Sequence, residues 1–169
     1  MILAGPIKAQ TAENRIANSF AQFYKKTNPA LRYSYNESKQ IHDYSGNWDL
    51  DGDKTPDSIS FIGNGGAHLY FYPRIVLSSD KKIRELSFIV TDLPILASPD
   101  LLKKQLDKNA LFPKFVAEDF TNDGITDIYL NTDIKFSDIP REWKKKGVTS
   151  RHLLITSGNK DLVVKNFSN

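Results

Sequence analysis

Asp49-Leu50-Asp51-Gly52-Asp53-Lys54-Thr55-Pro56-Asp57, running straight into Ser58-Ile59-Ser60-Phe61-Ile62, is the stretch that decides how this chain reads. About 70 residues later the pattern returns as Asp119-Phe120-Thr121-Asn122-Asp123-Gly124-Ile125-Thr126-Asp127, running into Ile128-Tyr129-Leu130. Both stretches put oxygen-bearing side chains at positions 1, 3, 5 and 9 of a nine-residue loop, and both feed a β-type run. Carboxylates gathered this closely repel one another unless a cation sits between them. The hard, oxygen-preferring cation that tolerates such a loop is Ca²⁺.

Each position has a chemical task in that reading. Asp49, Asp51 and Asp53, and Asp119, Thr121 and Asp123, supply side-chain oxygens as the backbone curls. Thr55 and Ile125 at position 7 supply a backbone carbonyl. Asp57 and Asp127 at position 9 close the shell. The competing reading is a pair of metal-free Asx-turns, because Asp, Asn and Gly form turns for their own reasons. An EF-hand is excluded: its position-12 glutamate is replaced by Ser60 and Leu130, and a strand follows each loop instead of a helix.

Working outward, residues 11–27 predict an amphipathic helix. Ile16, Phe20 and Phe23 form its apolar stripe with Ala12 and Tyr24 nearby, Thr11 is the N-cap, Lys25-Lys26 occupy the last turn, and Pro29 lies just beyond. Strand-like runs cover 31–35, 58–62, 67–72, 84–91, 114–117, 126–131, 152–156 and 161–165. Asn64-Gly65-Gly66 and Ser157-Gly158-Asn159 read as hairpin turns. Residues 98–109 predict a second helix, with Ser98 as N-cap and Pro99 at its first position. The expected fold class is mainly β with flanking helices: two antiparallel β units packed together, an N-terminal amphipathic helix and a short middle helix. Residues 11–169 are expected to form one domain of two repeat-like halves, about 31–97 and 110–169.

The loops resemble the calcium loops of FG-GAP and VCBS-type repeats, the units of integrin-like β-propeller blades, whose pattern is roughly D-x-[DN]-x-D-G-x-x-D leading into a strand. Asp119, Asp123, Gly124 and Asp127 match it, and Asp49, Asp51, Asp53 and Asp57 fill all its acidic positions. The resemblance covers the two loops and their strands, and it implies propeller-like blades and structural calcium. Lys54 departs from it at position 6, where the family prefers Gly, and is expected to need an unusual backbone conformation. Thr121 is a neutral ligand at position 3. Carboxylate count favours the first loop and turn geometry the second. Two repeats are too few to close a propeller, which needs about four, so either a sandwich-like relative or a two-blade unit completed by the helices is expected. Dissociation constants of ~10⁻⁴–10⁻³ M are expected for extracellular modules of this type.

Composition sets the remaining bounds. The chain has 169 residues and a formal net charge of +3, well short of the signature of a nucleic-acid binder. Without cysteine it has no disulfides, thiolate metal sites or Cys nucleophiles. No apolar run approaches the roughly 20 residues of a membrane span. Lys144-Lys145-Lys146 reads as a solvated loop, or as a docking patch for an acidic partner. Residues 1–10 read as a short tail or the remnant of a signal peptide, which points to export to the periplasm, cell envelope or exterior, where calcium is millimolar.

No G-x-S-x-G, H-E-x-x-H or P-loop is present. His42 beside Asp43 is the one base-and-orienter pair, in the polar segment 40–44, and His68 and His152 lie in strand-like runs. The expected function is therefore a non-catalytic calcium-binding domain with a protein or cell-wall partner. Some small exported bacterial proteins with similar loops inhibit peptidoglycan-cleaving enzymes or confer immunity to secreted toxins, which is the alternative. A calcium-dependent hydrolase is the second alternative.

Overall fold

A computed structural model describes residues 12–63, 70–87, 90, 93–96, 114–132, 139–158 and 161–168. It is mainly β. The chain runs α1 (Ala12–Thr27), β1 (Arg32–Asn36), β2 (Ile41–Ser45), β3 (Ser58–Gly63), β4 (Phe71–Val76), β5 (Ile83–Glu85), β6 (Ile95–Leu96), β7 (Lys114–Glu118), β8 (Asp127–Asn131), α2 (Arg141–Lys145), β9 (His152–Ser157) and β10 (Leu162–Asn166).

Two sheets follow, the first an antiparallel meander. The first has the order β1-β2-β3-β4-β5, every pair antiparallel. The second has the order β10-β9-β8-β7-β6; four strands are antiparallel and the two-residue β6 joins β7 in parallel. Each aspartate loop enters the middle strand of its sheet, β3 or β8. The sheets pack through aromatic rings. Phe115 of β7 meets Tyr44 at a centroid distance of 5.1 Å and Phe61 at 5.4 Å, and all three are fully buried. Such edge-on pairs add to the area they bury, and truncating one ring costs about 3–5 kcal/mol.

The helix covers this core, but with a different stripe from the expected one. Ala17 and Tyr24 are buried and Phe20 is partly buried, whereas Ile16 and Phe23 are 41% and 50% exposed. Aromatic partners decide the rotation: Tyr24 stacks edge-on against Tyr44 and tilts against Tyr33. Its hydroxyl accepts a hydrogen bond from the Leu96 amide at 3.1 Å, which links the helix to the second sheet.

β2 is not among the expected strands. The polar-looking segment 40–44 is a strand whose buried positions are His42 and Tyr44, so a histidine stands where an apolar residue would have signalled the alternation. The expected run 67–72 ends before Pro73, yet β4 passes through that residue. Leu86 N–H donates to the Pro73 carbonyl at 2.9 Å, so the edge of Pro73 that lacks an N–H faces the point where β5 has already ended. The run 84–91 is shorter than expected: β5 ends at Glu85, and Val90 forms an isolated bridge to Phe71. Lys144 and Lys145 are the end of α2 and not a loop, and Lys146 is the residue that caps it. That helix anchors buried Trp143 and closes with Gly147 N–H to Lys144 O and Val148 N–H to Trp143 O, both 3.0 Å. The helix at 98–109, the turn at 64–66 and His68 lie outside the described residues, as do residues 1–11 and Asn159.

His42 and Asp43 are not brought together. As neighbours on a strand they face opposite sides, one buried and one exposed. His42 lies between Tyr35 and Phe71, and its Nδ1 shares a 2.8 Å hydrogen bond with the Tyr33 hydroxyl, while Nε2 is buried without a partner. Tyr129 and His152 repeat the arrangement in the second sheet, also at 2.8 Å. Burial pushes His42 down from the ordinary 6.5 to about 4 and lowers His152 as well. The unfolded chain therefore takes up a proton first as pH falls below 6.5. Stability that the neutral His42 ring carries above that pH is lost between 6.5 and 4, by about 3 kcal/mol. Urea unfolding of His42→Phe from pH 7 to 4.5 is expected to show a flattened acid limb with a residual slope from His152. At pH 7 the lost Tyr33 bond costs about 1 kcal/mol. A variant that keeps the wild-type slope contradicts this assignment.

Candidate metal centre

The two aspartate loops share one backbone design. The position-6 amide donates to the position-1 carboxylate in both: Lys54 to Asp49 and Gly124 to Asp119, each at 2.9 Å. The position-7 amide donates to position 5, from Thr55 to Asp53 at 2.7 Å and from Ile125 to Asp123 at 2.9 Å. The position-2 amide donates to position 9, from Leu50 to Asp57 at 2.6 Å and from Phe120 to Asp127 at 2.9 Å. Positions 4 and 6 are left-handed in both loops, and glycine is used in complementary places. The first loop has Gly52 at φ 82° and Lys54 at φ 66°; the second has Asn122 at φ 58° and Gly124 at φ 82°. The unusual conformation expected of Lys54 is therefore present. Gly52 has a further reason to lack a side chain, since a Cβ there would meet Ile125 Cδ1 at 3.1 Å.

That close approach shows that the loops lie side by side. Thr126 N–H donates to the Asp49 carbonyl at 2.7 Å, and Asp49 N–H donates to the Thr126 hydroxyl at 3.3 Å. One bond pair thus joins the first loop to the second, and the first sheet to the other.

The loops differ in what their carboxylates do. In the first, Asp49, Asp51 and Asp57 each offer an oxygen, all within 4.8 Å of one another, the one such acidic cluster found among the described residues. Asp53 stands apart, with Oδ1 on the Thr55 amide and Oδ2 accepting from the Ser78 hydroxyl at 3.0 Å. Ser79 Oγ donates to Asp51, and Ser78 N–H donates to Asp57 Oδ1 at 2.7 Å. These two serines, on the turn after β4, were not legible as site residues, because nothing in Leu77-Ser78-Ser79-Asp80 marks them beyond an ordinary turn. Burial pushes the Asp57 carboxyl above its usual range, the amides of Ser78 and Leu50 pull it back, and the Asp51 charge raises it again.

In the second loop, Thr121 turns its hydroxyl to Asp127 Oδ2 at 3.1 Å, and the amides of Phe120 and Thr121 donate to the same oxygen. Asp127 is fully buried, and its Oδ1 has no partner. No described Lys or Arg pairs with a carboxylate of either loop; Arg84 pairs with Asp80 and Asp161, outside both. Thr55 is exposed and Ile125 half-buried, each at position 7.

The donor set suits a hard divalent cation. In the first loop three carboxylates converge, and none forms an ion pair with a described Lys or Arg. The second loop contributes an orphaned buried carboxylate oxygen but no comparable cluster. The structure thus separates the loops where carboxylate count and turn geometry disagreed: convergence lies with the first. Comparison with family models, curated proteins and solved structures finds no match for this chain.

Lys54→Gly tests the shared backbone. A non-glycine residue at a left-handed φ costs about 1 kcal/mol, so the variant should gain close to that in urea melts. A loss of stability would show that the Lys54 side chain contributes more than its backbone conformation costs.

Proposed function

We propose that this protein is a non-catalytic, calcium-stabilised β-rich binding domain whose ion is held by Asp49, Asp51 and Asp57. The observation that carries this reading is the convergence of those three carboxylates, none of which forms an ion pair with a described Lys or Arg. Calcium supplies charge neutralisation there. The chain's own groups do the rest: loop amides orient each carboxylate, and Ser78 and Ser79 brace the first loop from the β4–β5 turn. Because the first loop is bonded to Thr126, holding it firm also steadies the junction of the two sheets. Asp127 is the best-placed group of the second loop for a further, weaker site. No described helix is long and apolar enough to cross a membrane.

A dissociation constant near ~10⁻⁴ M matches a domain working where calcium is millimolar, which fits the exported setting suggested by the N-terminal segment. The partner is read as a macromolecule; His42, buried, and His152, half-buried, are each taken up in a hydrogen bond with a tyrosine hydroxyl.

Linkage gives the test. Calcium at ~100 times its dissociation constant adds about 2.7 kcal/mol, a melting-temperature rise of roughly 5–10 °C for a chain of this size. Asp51→Ala should lose most of that rise and Asp123→Ala should retain it. Identical melts in chelator and in excess calcium would remove the metal from the proposal.

A further inference from the structure

We propose that the outer edge of β10 is a docking strand for an extended, acidic peptide segment of another protein. The inference rests on the binding-domain reading above but not on its metal. β10 is the last strand of its sheet and, among the described residues, pairs with β9 alone. Its register fixes which backbone groups are free to receive a partner. Phe167 N–H donates to the His152 carbonyl at 2.8 Å, so residues 163, 165 and 167 face β9. Leu162, Val164 and Asn166 therefore turn their peptide groups away from the sheet. The Leu162 N–H is bonded to Asp161 Oδ1 at 2.8 Å, which leaves the pattern centred on Val164.

This edge borders a groove of about 490 Å³. All five residues of β10 line it, together with Glu85, Leu86 and Ser87. Its apolar part is preformed by Leu86, Trp143 and Val148, all buried. Trp143 Nε1 already donates to Ser87 Oγ at 2.7 Å, so that indole N–H needs no partner from a ligand. A strand laid along β10 would alternate its side chains between this apolar wall and solvent.

Charge selects the occupant. Lys146 and Lys165 line the groove against the single carboxylate of Glu85, and Lys144 and Lys145 continue the basic side on α2. Pairing of β10 with β10 of a second copy would bring like charges together, whereas an acidic strand neutralises them. The lysine run noted in the sequence thus gains a role beside an open strand edge.

The test uses a short fluorescein-labelled peptide of alternating valine and threonine flanked by glutamates, titrated by anisotropy in saturating calcium and again in chelator. It should bind saturably, about tenfold more tightly than its lysine-flanked twin. Lys146→Glu with Lys165→Glu, two exposed changes that melts should show to be folded, should reverse that preference. N-methylation of alternate peptide amides should abolish binding in one register and spare it in the other, as a strand pairing along one edge requires. Equal binding to wild type and the charge variant, insensitivity to both methylation registers, or saturable binding of a thymidine oligonucleotide in place of the peptide would overturn the proposal. So would a peptide-indifferent dimer. Absence of peptide binding beside an intact calcium response strikes this inference alone. Peptide binding with no calcium response strikes only the metal reading.

Discussion

The bond pair between Asp49 and Thr126 is the constraint on which the rest of the molecule turns. The two sheets have no strand in common. They meet through rings in the core and through this direct backbone link between their aspartate loops. Asp49 serves both roles: its carbonyl and amide face the second loop, and its carboxylate accepts the amides of Gly52 and Lys54. Whatever fixes the Asp49 side chain also positions the sheet junction.

The same constraint explains why two loops of one design behave differently. Gly52 leaves room for Ile125, so the second loop rests on the first. The β4–β5 turn supports the first loop, with Ser78 and Ser79 reaching three of its carboxylates. In the second, Asp127 Oδ1 lacks any such donor. Aspartate at position 3 joins the acidic cluster, whereas Thr121 at that position becomes a donor to Asp127. One substitution at position 3 thus converts a prospective ligand into a brace.

Much of this was written plainly in the chain. Spaced aspartates followed by β-branched runs marked the loops and the strands that leave them, because turn chemistry and period-two burial are local properties. The strand through His42 was hidden because its buried positions hold a histidine and a tyrosine, which look polar until Tyr33 supplies a hydrogen-bond partner. The rotation of α1 was hidden too, since Ile16 is more apolar than Ala17 but the tyrosines of β1 and β2 determine which face is accepted. Loop-to-loop contact and the serine braces are long-range facts. Residues 49 and 126, or 51 and 79, carry no mark of their proximity in one dimension.

Anomalous diffraction from crystals grown with calcium and then exchanged into a lanthanide measures the central claim directly. The account expects a strong peak within coordination distance of Asp49, Asp51 and Asp57, with any peak at Asp127 weaker. Featureless density among those three side chains at saturating ion, with their carboxylates turned outward, would contradict it.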